Sequence, residues 1–115
     1  MLNIGSGSRV FLVAGPTDMR KSYDTLAAVV RSVIDDDPLS GHLFVFCNRN
    51  RDRLKVLIWE PSGFWLLAKR LERGTFVWPD ASQTKVENTA GELAALLEGL
   101  ELSGRRRKRY CRKQA

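Results

Sequence analysis

Apolar residues fall along this chain in two rhythms, one continuous or alternating and one spaced by threes and fours. Residues 9–14 are β-branched and aromatic without a breaker, which predicts a buried strand closed by Gly15-Pro16. From Met19 onward the apolar positions become Tyr23, Leu26, Ala27, Val30, Val33 and Ile34, the spacing of a helix with one buried face. Thr17 is placed to cap that helix and Asp18 to complement its positive end. Asp35-Asp36-Asp37-Pro38 should stop it, because a proline disfavours helical geometry in the residue before it. Residues 43–47 and 54–60 are short runs of strand formers around Asn48-Arg49-Asn50-Arg51-Asp52-Arg53, and together they read as a β-hairpin. In its second strand Leu54, Val56 and Ile58 share one face. Arg53, Lys55, Leu57 and Trp59 share the other, which runs from basic at the turn to apolar at the far end and suits a tip projecting into solvent.

After Pro61-Ser62-Gly63, the positions Phe64, Leu67, Ala68 and Leu71 predict the inner stripe of a second helix. Leu66, Lys69, Arg70 and Arg73 would form its outer stripe, and Gly74 its left-handed terminator. Residues 75–78 read as another strand stopped by Pro79, and residues 80–88 as a polar linker. Thr89-Ala90-Gly91-Glu92 matches a capping box with Leu93, Leu96, Leu97 and Leu100 behind it, so a last helix is expected to about Leu102. The predicted fold class is α+β: a small, mostly antiparallel sheet of about four strands with two main helices and a C-terminal one. A chain of 115 residues supports a single core, so one domain is expected over residues 1–102, followed by a basic disordered tail over residues 103–115.

Charge changes this picture in one respect. The formal net charge of +6 divides unevenly, because residues 1–104 hold 12 Lys or Arg against 13 Asp or Glu, whereas residues 105–115 hold seven basic residues and no acid. Within the folded part, residues 49–73 carry seven basic residues against the three acids Asp52, Glu60 and Glu72. Two basic zones are therefore expected, one folded and one not. No stretch approaches the roughly 20 apolar residues of a membrane span, and the first residues lack the pattern of a secretion signal, so a soluble, cytoplasmic protein is expected. Cys47 and Cys111 have neither the number nor the spacing of a disulfide framework or zinc site and read as reduced thiols.

Catalytic constellations are hard to find. The carboxylates cluster in the breaker loop at Asp35, Asp36 and Asp37 or stand singly among basic residues, unlike the converging carboxylates of a two-metal nuclease. His42 is the only histidine and reads as a polar residue at a strand start. No phosphate-cradling glycine motif for nucleotide hydrolysis occurs. Gly15-Pro16-Thr17-Asp18 runs from strand to helix, but Asp18 would repel an anion and Pro16 has no N–H, so an ordinary cap is the favoured reading. The chain is expected not to be an enzyme and to need no cofactor, metal or small-molecule substrate.

The basic residues offer more. Arg49, Arg51 and Arg53 lie together at the expected hairpin tip, and guanidinium groups contact phosphate in bidentate fashion and can read guanine edges. Lys69, Arg70 and Arg73 on the outer stripe of the predicted helix would add phosphate contacts that fix orientation. Alternatively this zone is a solubilising surface whose charges pair with Asp52, Glu60 and Glu72, or it docks an acidic protein. In the tail, Arg105, Arg106, Arg107, Lys108 and Arg109 lead a run that would bind any polyanion with steep salt dependence. Phe64, Trp65, Phe76 and Trp78 could stack on bases, but core packing is their more ordinary use; Trp59 and Trp65 are candidates for an apolar patch that meets a partner protein.

Three stretches occur in a family's order: Gly15-Pro16-Thr17-Asp18-Met19-Arg20-Lys21, then Ser40-Gly41-His42-Leu43-Phe44-Val45-Phe46, then Lys69-Arg70-Leu71-Glu72-Arg73-Gly74 ending at Trp78-Pro79. Together they resemble the TnpB-type, Orf2-like accessory proteins of the IS66 class of bacterial insertion sequences. The resemblance spans about 70 of the 115 residues, with departures at Cys47, Asn50 and the stretch Trp65-Leu66-Leu67-Ala68. It implies a non-catalytic accessory factor for transposition, acting beside a separate, larger transposase. The partners it implies are DNA at the element's ends, the transposase and other proteins of the same element. A general small basic nucleic-acid-binding protein and a protein adaptor that never touches DNA stay open as alternatives.

Overall fold

In the computed structural model, which describes residues 7–99, a five-stranded sheet is packed on both faces. The elements are β1 (Val10–Val13), α1 (Tyr23–Ser32), β2 (Leu43–Cys47), β3 (Arg53–Glu60), β4 (Gly63–Arg70), β5 (Lys85–Asn88) and α2 (Ala90–Glu98). Strand order is β4-β3-β2-β1-β5; β1 and β2 run parallel across the α1 connection, and every other pair is antiparallel. The fold is α+β, as expected; among the described residues it has five strands rather than about four and two helices rather than three.

Both faces of the central strands are buried, which is why β1 and β2 are unbroken apolar runs. On one face, Phe11, Val13, Phe44, Phe46 and Leu57 meet Leu26, Ala27, Val30 and Ile34 of α1 and its C-terminal turn. On the other, Val10, Leu12, Val45, Leu54 and Val56 meet Leu93 and Leu96 of α2 together with Leu71, Phe76 and Trp78. The predicted alternation in β3 holds, with Leu54, Val56 and Ile58 on the α2 side and Leu57 on the α1 side.

Four sequence expectations are corrected. The first concerns residues 64–73, which form no helix: residues 63–70 are β4, joined to β3 through Pro61-Ser62 and paired with it along eight positions from Arg53↔Arg70 to Glu60↔Gly63. The six-residue apolar run from Gly63 to Ala68 fits either period, and without β4 the outer N–H and C=O groups of β3 would lack partners. Second, residues 75–78 are not a strand; they cross the α2 face irregularly, bury Phe76 and Trp78, and tie down through Trp78 Nε1–H to Val13 O at 3.0 Å. Third, the polar stretch contains β5, which pairs along the free side of β1. Fourth, α1 begins at Tyr23 behind Ser22, not behind Thr17, whose N–H instead donates to Cys47 O at 2.8 Å. Tyr23 and Val33 of the expected stripe are exposed.

The capping box at Thr89 is present: its hydroxyl accepts from Glu92 N–H at 3.0 Å, and the Glu92 carboxylate accepts from Thr89 N–H at 2.7 Å. Gly99, left-handed at φ 83°, is the C-cap of α2. The basic tail and the last residues of the predicted helix lie outside the described residues.

Candidate functional site

The β2–β3 turn is built by one side chain. Asn48 Oδ1 accepts from the N–H groups of Asp52 and Arg53 at 3.0 and 3.1 Å, and Asn48 Nδ2 donates to Asp52 Oδ1 at 2.7 Å. This closure requires Arg51 to adopt a left-handed backbone at φ 61°, uncommon for a residue with a side chain. The turn does not stand free as the sequence suggested. Phe76 N–H donates to Arg51 O at 2.7 Å and Leu71 N–H to Asp52 O at 2.8 Å, so the segment after β4 buttresses it from behind. Its backbone is thus held while the side chains of Arg49, Arg51 and Arg53 are exposed.

Against this turn lies the loop that carries Pro16 to Arg20. Between them is an open groove of about 770 Å³ whose charged walls are Asp18 and Arg20 on one side and Arg49, Asp52 and Arg53 on the other. Both acids are already engaged. Asp52 takes Asn48, and Asp18 receives two guanidinium nitrogens of Arg20, the shorter contact 2.7 Å, plus the Arg20 backbone N–H at 2.9 Å. Those Arg20 bonds hold the Asp18 carboxyl well below its usual range, at about 2. Lys55 supports the loop from below, its ammonium donating to the carbonyls of Met19 and Lys21 at 2.8 Å each.

Arg53 also faces Arg70 directly across the β3–β4 ladder. Like charges at such a position repel, so the pair has no reason of stability to be there. Arg70 reaches Glu72 at 3.3 Å, with both groups mostly exposed, whereas among the described residues Arg49, Arg51 and Arg53 have no side-chain hydrogen bond or ion pair. Glu60, the remaining acid of this zone, accepts from Trp65 Nε1–H at 2.7 Å. The pairing that would make the zone merely self-neutralising is therefore confined to Arg70.

The expected stripe of Lys69, Arg70 and Arg73 does not exist. On a strand, neighbours point to opposite faces, so Arg70 joins Arg53 on the α1 side while Lys69 turns to the α2 side and donates to Leu97 O at 2.7 Å. There it satisfies a carbonyl in the last turn of α2 and complements the negative end of the helix. Arg73 lies in the exposed loop beyond β4. Arg20, which sequence reasoning left out of the site, stands on the groove wall with its side chain 91% exposed. Its membership in the first of the three motif stretches was the signal that could have flagged it. Of the two tryptophans, Trp59 is half-buried edge-on against Phe64 at 5.0 Å, and Trp65 is exposed on the outer strand. Residues 105–109 lie outside the described residues.

Elsewhere the titratable groups have structural occupations. His42 Nδ1 accepts from Arg9 N–H at 3.0 Å, and burial pushes the Cys47 thiol up to about 12. Among the described residues no group of three or more His, Cys, Asp or Glu is arranged to hold a metal, and no helix is long and apolar enough to cross a membrane.

These features define a small α+β domain with a cationic, grooved end. The chain matches the family described as IS66 Orf2 like protein over residues 8–107, and it belongs to that family. It is a transposition-associated accessory protein of the insertion-sequence type. It is 41% identical over 101 residues to the uncharacterized protein y4hO of Sinorhizobium fredii, covering 88% of each chain. It is 32% identical over 108 residues to the uncharacterized protein y4jC of the same organism, covering 94% of this chain and 92% of the other. No solved structure matches it.

Proposed function

We propose that this accessory protein is non-catalytic and binds DNA with its grooved end, helping to assemble the element's transposase on the element's ends. Arg49, Arg51, Arg53 and Arg70 would contact phosphate, with Arg20 on the opposite groove wall. The observation that carries this reading is the set of three exposed arginines, without side-chain partners among the described residues, on a turn whose backbone is held by Asn48, Leu71 and Phe76. Pre-ordered guanidinium groups lose little freedom on meeting a phosphate chain. Lys69 has no part, because its ammonium is committed to α2.

The test is binding of the full chain to element-end duplex and to shuffled duplex across a salt series, with and without the transposase. Each phosphate contact adds about 0.9 to the slope of log affinity against log salt, so changing Arg49, Arg51 and Arg53 to Gln should lower that slope by roughly 2 to 3. Deleting residues 105–115 should flatten it further. An unaltered slope and affinity in the triple variant would remove the turn from DNA binding. Loss of transposase binding instead, with DNA binding intact, would establish the adaptor reading.

A further inference from the structure

The two edges of the sheet are treated very differently. At one, β5 is four residues long and bears Lys85 and Glu87, the short, charged form that discourages further pairing. At the other, β4 is eight residues long, pairs with β3 without a bulge, and has no charge or proline from Gly63 to Ala68. Trp65 is 43% exposed on it and Leu67 41%. The bond from Leu71 N–H to Asp52 O continues the β3–β4 register and sets its parity: odd-numbered residues of β4 exchange hydrogen bonds with β3. The N–H and C=O groups of Phe64, Leu66, Ala68 and Arg70 therefore point outward, and among the described residues nothing meets them.

We infer that a second copy of this chain pairs with β4, antiparallel, about a two-fold axis at Leu67. The strand is complementary to itself in that register. Leu67 meets the second copy's Leu67, Leu66 meets Ala68, Phe64 meets Arg70, and Trp65 meets the stem of Lys69. Apolar groups face apolar groups, aromatic rings face cations, and no two like charges stand opposite. All four outward residues of each copy find hydrogen-bonding partners, and the two sheets become one. A two-fold perpendicular to the sheet keeps both α1 faces on the same side, so the two Arg53–Arg70 patches look the same way. They lie roughly 20 Å apart along the ladder at about 3.4 Å per residue, with the arginine turns further out. The two arginine turns, further out at each end, are separated by more than this, on the order of one turn of B-DNA, about 34 Å. This last step rests on the DNA reading above; the dimer does not.

Sedimentation of the full chain without DNA tests the dimer separately. The expected mass is twice the 13.0 kDa of one chain. Leu67→Lys should halve it by placing two ammonium groups on the axis, as should Leu67→Glu, and mixing the two variants should restore the dimer. Ala68→Pro, which removes an outward N–H on an edge where proline is tolerated, should also give a monomer. Circular dichroism identical to the parent shows that each variant is folded. A wild-type chain that sediments at single mass up to sub-millimolar concentration overturns the inference, as does a Leu67→Lys variant that stays dimeric. Failure of the folded Lys and Glu variants to recombine would also overturn it, by removing Leu67 from the axis.

Discussion

Single side chains in this protein differ in how far their type announces their work. Asn48 closes the turn, a use its residue class favours and the sequence made legible. Lys69 looks like one more basic residue in a charged stretch, yet it closes a helix 28 residues away, a contact no local pattern encodes. Arg51 holds a left-handed backbone that suits glycine better. Replacing it by Gly should therefore leave stability unchanged or raise it by up to about 1 kcal/mol, while DNA affinity falls. Urea unfolding and a binding titration on the same variant check this; a parallel loss of both would mean that the arginine is there for the fold.

At the level of elements, the legible ones were those with an unambiguous local signature. Residues 10–13 and 43–47 are fully apolar runs too short for helices, and the box at Thr89 and Glu92 marks the start of α2 by its own hydrogen bonds. Thr89→Ala should cost about 1 kcal/mol by leaving the Glu92 N–H without its acceptor, measurable as a lower urea midpoint at unchanged slope. An unchanged midpoint would show that tertiary contacts alone hold α2. β4 was misread because Phe64, Leu67, Ala68 and Leu71 satisfy a helical period while Trp65 and Leu66 fill the alternate positions, leaving an apolar run that local rules assign either way. β5, with Val86 its only strongly apolar residue, carries almost no signal of its own and exists because β1 has a side to be paired.

In the whole molecule, ion pairs bind the β1–β5 edge and the loops around it. Arg9 donates twice to Glu87, and its hydrogen bonds and charge hold the Glu87 carboxyl below its ordinary value. Burial pushes the Asp36 carboxyl up, but the bond from Lys85 at 3.0 Å, with the Asp37 N–H and the Lys85 charge, outweighs it and leaves the group lowered. With Asp18 at about 2, three carboxylates bind protons less readily folded than unfolded. Their contribution is complete above the ordinary carboxylate range and is lost as pH falls through the lowered values, so the melting temperature should be level near neutrality and decline from about pH 4 toward 2. The decline should be modest, because exposed pairs are well screened; a melting temperature constant down to pH 2.5 would mean that these pairs contribute nothing. By itself the sequence determined the α+β class, the two central strands, the hairpin, the start of α2 and the arginine-rich turn, since each follows from contacts among residues close in the chain. Only the tertiary structure decided that residues 63–70 are an edge strand, that Lys69 and Arg70 part company across it, and that Arg20 joins the groove. Those outcomes depend on which distant backbone offers a hydrogen-bonding partner, and no local period contains that information.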